Sequence, residues 1–163
     1  ALYDITLAAQ QAAVNATRPG HSFIDPHQAA VRVLTQGLID EKLIRIDEVG
    51  SLDHAIETGA YKRFYMHRTS HWLGMDVHDV GSYRELDTVT QPDTERPWRT
   101  LQENMVLTIE PGLYIRPADD ISEAFWNIGI RIEDDALVTA NGCELISRGV
   151  PVDPLEIESI IRS

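Results

Sequence analysis

The sequence predicts an α+β domain in which helices come first and strands follow. Before Tyr61, apolar residues recur with the spacing of a helix face; after it, short runs of β-branched residues end at proline or glycine. With 163 residues, the chain is long enough for one domain over residues 1–163. A domain of that size buries about two-thirds of the surface that its unfolded chain exposes.

Two long helices are predicted near the start of the chain. Leu2–Ala16 is rich in helix-forming residues and precedes a proline–glycine turn at 19–20. Asp25 is then predicted as an N-cap and Pro26 as the first helical residue, because proline's fixed φ suits that position. The spacing of the following apolar residues extends this second helix to about Leu43.

Glycine marks two positions in this helical part. Gly37 weakens the second helix by about 1 kcal/mol relative to alanine, unless a neighbour packs closely against it. A shorter helix is predicted over residues 51–58, since Gly59 stands just past its end. A terminal helix is predicted at 155–161.

The later strands are predicted from short apolar runs. Residues 105–109 form a run that Pro111 stops, and 113–115 continue it after a bend. Residues 128–133 alternate between apolar and polar, and we expect 136–139 to return as their hairpin partner. Polar loops containing proline are predicted at 85–100 and 117–127.

Strand parity places charged side chains together. Thr108 and Glu110 share one face of their strand, and Arg131 and Glu133 share one face of theirs. If the two strands lie in one sheet with their aliphatic faces toward the helices, both glutamates reach the same side. Such a charged face is costly to build unless a metal or a substrate occupies it.

Three histidines, His67, His71 and His78, lie close together in the segment that precedes these strands. One imidazole with the carboxylates of Glu110 and Glu133 suits Mn²⁺, or Zn²⁺ or Co²⁺ in an oxygen-rich site. The remaining histidines can carry protons or stabilise an oxyanion. The combination indicates metal-assisted hydrolysis.

Plainer interpretations of the same residues stay open on spacing alone. His67 and His71 are four residues apart, as ordinary neighbours on one helix face would be. Asp134 and Asp135 are typical of an acidic turn, and Glu110 begins a Glu-Pro-Gly sequence that is common in turns.

Composition limits the partners and the compartment. The formal net charge of −12 argues against nucleic acid and anionic membranes, which bind basic patches. No apolar run is long enough to span a bilayer, and no signal peptide is visible. Cys143 is the single cysteine, so no internal disulfide can form, and we expect a reducing cytoplasm.

Three segments carry a family resemblance: MHRTSHWLGMDVHDVGSY (66–83), NMVLTIEPGLYI (104–115) and IGIRIEDDALVT (128–139). In this order they resemble the bacterial Xaa-Pro aminopeptidases of the pita-bread metallopeptidases, a group that includes prolidases, methionine aminopeptidases and creatinases. The resemblance covers nearly the whole chain. It implies an enzyme that removes an N-terminal residue preceding proline, acting on peptides with proline at the second position.

The resemblance also implies residue roles at a site with two divalent ions. His71, Glu110 and Glu133 match the family's metal ligands. Glu110 matches the glutamate that also acts as general acid/base, and Glu133 matches the glutamate that bridges the metals. Manganese is the expected ion, with cobalt or zinc as alternatives. The residues that match the substrate-contacting histidines and the adjacent polar network are His67, His78, Tyr114 and Arg131.

The family places two further aspartate ligands on an earlier hairpin. Asp4 begins an Asp-Ile-Thr sequence that looks similar, but it continues into a helix and aligns with the helix after that hairpin. We therefore expect a C-terminal part of the domain, its second αα-β half, with helices on one face of a curved, mainly antiparallel sheet. Such a fragment should be inactive and bind metal weakly or not at all, and its open apolar face should favour a homo-oligomer.

Two other functions are compatible with the resemblance. A prolidase would cleave Xaa-Pro dipeptides instead of longer peptides, and a non-catalytic pita-bread protein would use the scaffold for binding. The joint presence of His71, Glu110 and Glu133 argues against the binding module.

Overall fold

The computed structural model describes residues 1–86 and 95–163; the predicted loop at 85–100 therefore lies partly outside the described residues. Its helices are Leu2–Ala16 (α1), Asp25–Asp40 (α2), Ile46–Val49 (α3), Leu52–Glu57 (α4) and Pro154–Arg162 (α5). Its strands are Val106–Ile109 (β1), Gly112–Ile115 (β2), Ile128–Arg131 (β3), Asp134–Thr139 (β4) and Gly142–Leu145 (β5). Short 3₁₀ turns occur at Ala60–Arg63 and Glu123–Phe125.

The predicted α1 is confirmed, and α2 differs from its prediction at both ends. Asp25 is the first residue of α2 instead of its N-cap, which is Ile24. The Asp25 carboxylate accepts a hydrogen bond from the backbone of Ser22 at 2.7 Å, upstream of the helix. The helix ends at Asp40, before the predicted Leu43, because Lys42 adopts a left-handed conformation with φ of 61°.

Helices α1 and α2 pack closely at Gly37. A Cβ atom at this position would lie 2.5 Å from Cγ2 and 2.8 Å from Cγ1 of Ile5 in α1. The predicted exception therefore applies, since a neighbour occupies the space that a side chain would need. The short helix is confirmed as α4, where the hydroxyl of Ser51 caps the helix by accepting from the backbone of His54 at 3.1 Å.

The strands form two antiparallel ladders. One contains β1, β4 and β5 in that order, and the other contains β2 and β3. Ile109 pairs with Asp134 in the first ladder, and Gly112 pairs with Arg131 in the second. The register is the same in both, so β1–β2 and β3–β4 are two bent strands that run side by side.

The predicted hairpin between residues 128–133 and 136–139 is wrong. β3 pairs with β2, and β4 pairs with β1 and β5. Ile132 and Glu133 separate β3 from β4, and neither adopts the positive φ that a two-residue hairpin turn needs, so the chain continues forward. The backbone of Ile132 still donates to the carbonyl of Pro111 at 3.2 Å, which holds the bent strands together.

The helices cover one side of this sheet. Ile109, Leu113 and Ile115 are buried with residues of α1 and α2, and the half-buried Ile130 packs against them. Ile132 is also buried. The terminal helix is confirmed as α5. Within the described residues, no helix has the length and apolar character needed to cross a membrane.

Candidate metal centre

The segment that carries the clustered histidines lies along the edge of β1. The backbone of Thr108 donates to the carbonyl of His71 at 3.0 Å, and the backbone of Glu110 donates to the carbonyl of Thr69 at 2.7 Å. These bonds place His71 beside Glu110. Neither His67 nor His71 lies on a helix, so the interpretation of the pair as neighbours on a helix face is wrong.

His71, Glu110 and Glu133 converge as the sequence predicts. Each offers one nitrogen or oxygen atom, and these three atoms lie within 4.8 Å of one another. His71 Nε2 is 3.2 Å from Glu110 Oε1, and each of these two residues is 8% exposed. Thr108 also lies in this group, because its hydroxyl accepts from the backbone of His71 at 3.1 Å and donates to Glu110 at 3.3 Å.

The hydrogen bonds of His71 fix its ring orientation. Its Nδ1 lies 2.9 Å from the carbonyl oxygen of Trp72, which can only accept, so Nδ1 carries a proton. In the neutral ring Nε2 then presents a lone pair toward Glu110. An imidazole held by a carbonyl in this way is the usual form of a histidine metal ligand.

The two carboxylates need a positive charge beside them. Partial burial, and then the negative charge of Glu110, raise the pKa of Glu133 above its ordinary value. Arg131 Nη1 lies 3.4 Å from Glu110 Oε2 and compensates part of this charge. The donor set, one imidazole and two carboxylates, fits a divalent cation such as Mn²⁺, Co²⁺ or Zn²⁺.

A second polar network adjoins these groups. Arg131 Nε donates to the Tyr114 hydroxyl at 2.8 Å, and the hydroxyl donates to Nε2 of His67 at 2.8 Å. Nδ1 of His67 lies 2.8 Å from the carbonyl of Arg68, to which it donates. The structure therefore brings His67, Tyr114 and Arg131 into one chain of hydrogen bonds that reaches Glu110.

Gly112 makes this network possible, although it was not among the predicted site residues. A Cβ atom at Gly112 would lie 2.7 Å from the Tyr114 hydroxyl and 2.7 Å from the carbonyl oxygen of Ile130. The tyrosine ring can cross over its own strand only because residue 112 has no side chain. Its position in the Glu-Pro-Gly sequence suggested a turn, which concealed this role.

His78 stands apart from the hydrogen-bonded network. Its ring stacks on the ring of His71 with centroids 3.8 Å apart and planes 19° apart. The side chain is exposed and lies in a segment with the exposed apolar residues Met75, Val77 and Val80. A cationic form of His78 would therefore stand directly beside the site.

Asp134 corrects the interpretation of the acidic pair as a turn. It begins β4, is 2% exposed, and hydrogen-bonds with Gln10, Ser147 and Arg148. In the sequence, the three consecutive acidic residues 133–135 look like a solvated surface segment. The signal that could have placed Asp134 inside was the alternation of side chains along the strand. That alternation turns Asp134 to the face opposite Glu133.

Comparison with known proteins agrees with this arrangement. The profile of Metallopeptidase family M24 matches residues 1–140. The chain belongs to metallopeptidase family M24. It is 39% identical over 160 residues to the Xaa-Pro aminopeptidase of Haemophilus influenzae, a match that covers 98% of this chain and 34% of that protein.

Solved structures of M24 relatives have the same fold. The structure of Pseudomonas aeruginosa aminopeptidase PepP is 43% identical with a TM-score of 0.87, covering 99% of this chain and 34% of that one. Aminopeptidase P from E. coli with the inhibitor Pro-Leu is 38% identical with a TM-score of 0.84, covering 99% and 34%. The predicted α+β pita-bread fold and its family are thereby confirmed. The chain spans about a third of the length of these relatives.

Proposed function

We propose that the protein carrying this chain is a metallo-aminopeptidase that removes an N-terminal residue preceding proline. The observation that carries the proposal is the convergence of His71, Glu110 and Glu133 within 4.8 Å. Its support is the similarity to Xaa-Pro aminopeptidases. Because the matched region is a third of those proteins, the activity of the whole protein is inferred from its relatives.

The proposed cofactor is a pair of divalent ions, with manganese first and cobalt or zinc as alternatives. Bound ions of this kind polarise a carbonyl group and lower the pKa of a bound water molecule to near neutrality. His71, Glu110 and Glu133 would hold them. These are three donors, too few for two ions, so we expect further ligands from outside these 163 residues.

The chain's own residues would then manage protons and charge. Glu110 is nearly buried beside His71, where its carboxylate can take a proton from the attacking water and pass it to the leaving nitrogen. The Arg131–Tyr114–His67 chain of hydrogen bonds supplies donors for the oxyanion of the tetrahedral intermediate. His78, stacked on His71, can add a positive charge at the same place.

The experiment is a peptide assay on the full-length protein with added Mn²⁺. We expect hydrolysis of the Xaa-Pro bond in a tripeptide such as Ala-Pro-Leu, little hydrolysis of Ala-Ala-Leu, and loss of activity with a chelator. Glu110→Gln should lose activity. Its matched control, Glu144→Gln at an exposed position on β5, should retain activity.

Other outcomes of the assay separate the alternatives. Cleavage of the dipeptide Ala-Pro without cleavage of the tripeptide would identify a prolidase. Metal binding without turnover of any of these peptides would favour a binding module. Turnover without preference for proline would reject the specificity and leave metal-dependent hydrolysis.

The 163 residues alone should behave differently from the full protein. With three donors they should bind two ions weakly or not at all, and they should be inactive. Exposed Met75, Val77 and Val80 beside the site should favour self-association of this chain. Metal analysis, the same peptide assay and sedimentation of the isolated chain test these expectations; two tightly bound ions or robust turnover would contradict them.

A further inference from the structure

The backbone of Asp134 adjoins both glutamates of the candidate metal centre. It directly follows Glu133, and it pairs across the ladder with Ile109, the residue before Glu110. It is 2% exposed, so its charge is removed from water. Its side chain lies on the face of β4 that is turned toward α1, away from the two ligands.

Hydrogen bonds satisfy both oxygens of this carboxylate. Oδ1 accepts from the hydroxyl of Ser147 at 2.7 Å, and Oδ2 accepts from Nε2 of Gln10 at 2.6 Å. Arg148 donates to the same Oδ2 and also to Oε1 of Gln10 at 3.2 Å, which closes a triangle of three side chains. We call Gln10, Asp134, Ser147 and Arg148 the Asp134 cluster.

The Asp134 cluster joins two other parts of the chain to the start of β4. Gln10 is fully buried in α1, whereas Ser147 and Arg148 follow β5. The hydroxyl of Ser147 also accepts from the backbone of Asp135 at 2.9 Å, and the backbone of Ile146 donates to the carbonyl of Asp135 at 2.9 Å. The backbone beside Glu133 is thus fixed from several directions.

Fixing this backbone matters because the ligands repel each other. Glu110 and Glu133 stand opposite each other between the two ladders, and like charges in such positions destabilise strand pairing. Pro111 also removes a backbone donor there. With few ladder bonds at this point, the separation of the two carboxylates depends on what holds the strands from behind.

We propose that the Asp134 cluster is a positioning unit that holds Glu110 and Glu133 at ligating distance before a cation binds. Asp134 is its central positioning residue and does not itself touch the cation or the substrate. A buried ion pair contributes little net stability compared with apolar packing, but it fixes geometry through directional hydrogen bonds. The inference rests on the metal site proposed above.

The test compares metal affinity with stability in the full-length protein. Asp134→Asn removes the charge that Arg148 and Gln10 contact, and Arg148→Lys keeps the positive charge but loses part of the hydrogen bonding. Leu38→Ala is the matched control, since it removes a fully buried core side chain of α2 that takes part in none of the hydrogen bonds of the cluster. Calorimetry with Mn²⁺, the electron paramagnetic resonance spectrum of bound Mn²⁺ and the Tm of the metal-free protein are measured for each.

We expect Asp134→Asn to raise the Kd for Mn²⁺ roughly 10–100-fold, as loss of supporting groups behind metal ligands does elsewhere. Arg148→Lys should give a smaller rise and a spectrum closer to wild type. Leu38→Ala should keep the wild-type Kd within about twofold while lowering the Tm comparably.

Two results would overturn the proposal. One is a Kd for Asp134→Asn that changes no more than that of Leu38→Ala. If Asp134→Asn does not fold, unchanged Kd values for both Ser147→Ala and Arg148→Lys would have the same meaning. Failure of the wild-type protein itself to bind Mn²⁺ would instead reject the metal site on which the inference rests.

Discussion

Glu110 and Glu133 face each other where the two ladders of the sheet meet. The register on either side is the same, so their positions are cross-strand partners even though no ladder pairing is made there. Arg131, 3.4 Å from Glu110, neutralises only part of the combined charge. Partial burial, and then the negative charge of Glu110, raise the pKa of Glu133, and a cation is the natural complement of the two carboxylates.

Replacing His78 tests whether it acts on turnover rather than on metal binding. Its ring stacks on His71 but it is not among the three grouped ligand atoms. We therefore expect His78→Asn to lower kcat by about 10- to 100-fold, because a charge-stabilising group is lost. Metal content, measured by mass spectrometry of the purified protein, should stay near the wild-type value.

His54→Asn is the control for this experiment, since His54 is exposed on α4, where its ring lies 3.9 Å from Glu57. It should leave both kcat and metal content unchanged. Loss of metal from His78→Asn in proportion to its loss of activity would show that His78 is a ligand and contradict the assigned role.

Gly37→Ala tests the close approach of α1 and α2. Alanine improves helix propensity by about 1 kcal/mol, but its Cβ would meet both γ carbons of Ile5. Each staggered rotamer of isoleucine fills two of three γ positions, so rotation always leaves one clash. We expect net destabilisation of about 1–2 kcal/mol in urea unfolding. Gly149→Ala, with nothing within 4 Å of the added carbon, should stay within about 0.5 kcal/mol of wild type.

His27 should make stability depend on pH. Burial, followed by the positive charges of Arg68, His67 and Lys62, lowers the pKa of His27 from 6.5 to about 4. Between these values the unfolded chain binds a proton at His27 and the folded chain does not. The free energy of unfolding should therefore fall as the pH decreases from 6.5 toward 4, by roughly 3 kcal/mol from this residue.

Unfolding curves at several pH values check this dependence. His27→Gln should remove most of the slope, because glutamine has no proton to gain in this range. His54→Gln, at an exposed position, should leave the slope as it is in wild type. An unchanged slope in His27→Gln would mean that His27 titrates alike in the folded and unfolded states.

The sequence predicted the parts of this fold that depend on local patterns. α1 has its predicted bounds because helix formers and the following proline–glycine turn act within a few residues. The convergence of His71, Glu110 and Glu133 followed from strand parity together with the family resemblance, and the structure agrees with it. Alternation within a strand therefore locates side chains well even before the pairing of strands is known.

The errors arose where distant contacts decide the structure. The pairing of β4 with β1 could not be read from neighbours in sequence, because β1 lies more than twenty residues upstream and β3 continues into β4 instead of turning back. Asp134 looked solvated because its partners Gln10 and Arg148 belong to other elements. The role of Gly112 depends on the path of a tyrosine ring two residues away.

Calorimetric titration of the metal-free full-length protein with Mn²⁺ tests the central claim most directly. Wild-type protein and Glu144→Gln should bind Mn²⁺ alike, whereas Glu110→Gln and Glu133→Gln should each weaken binding by about 100-fold or more, since each removes a charged ligand. Equal Mn²⁺ affinity in wild type and in both ligand variants would contradict the account, because it would place the metal away from His71, Glu110 and Glu133.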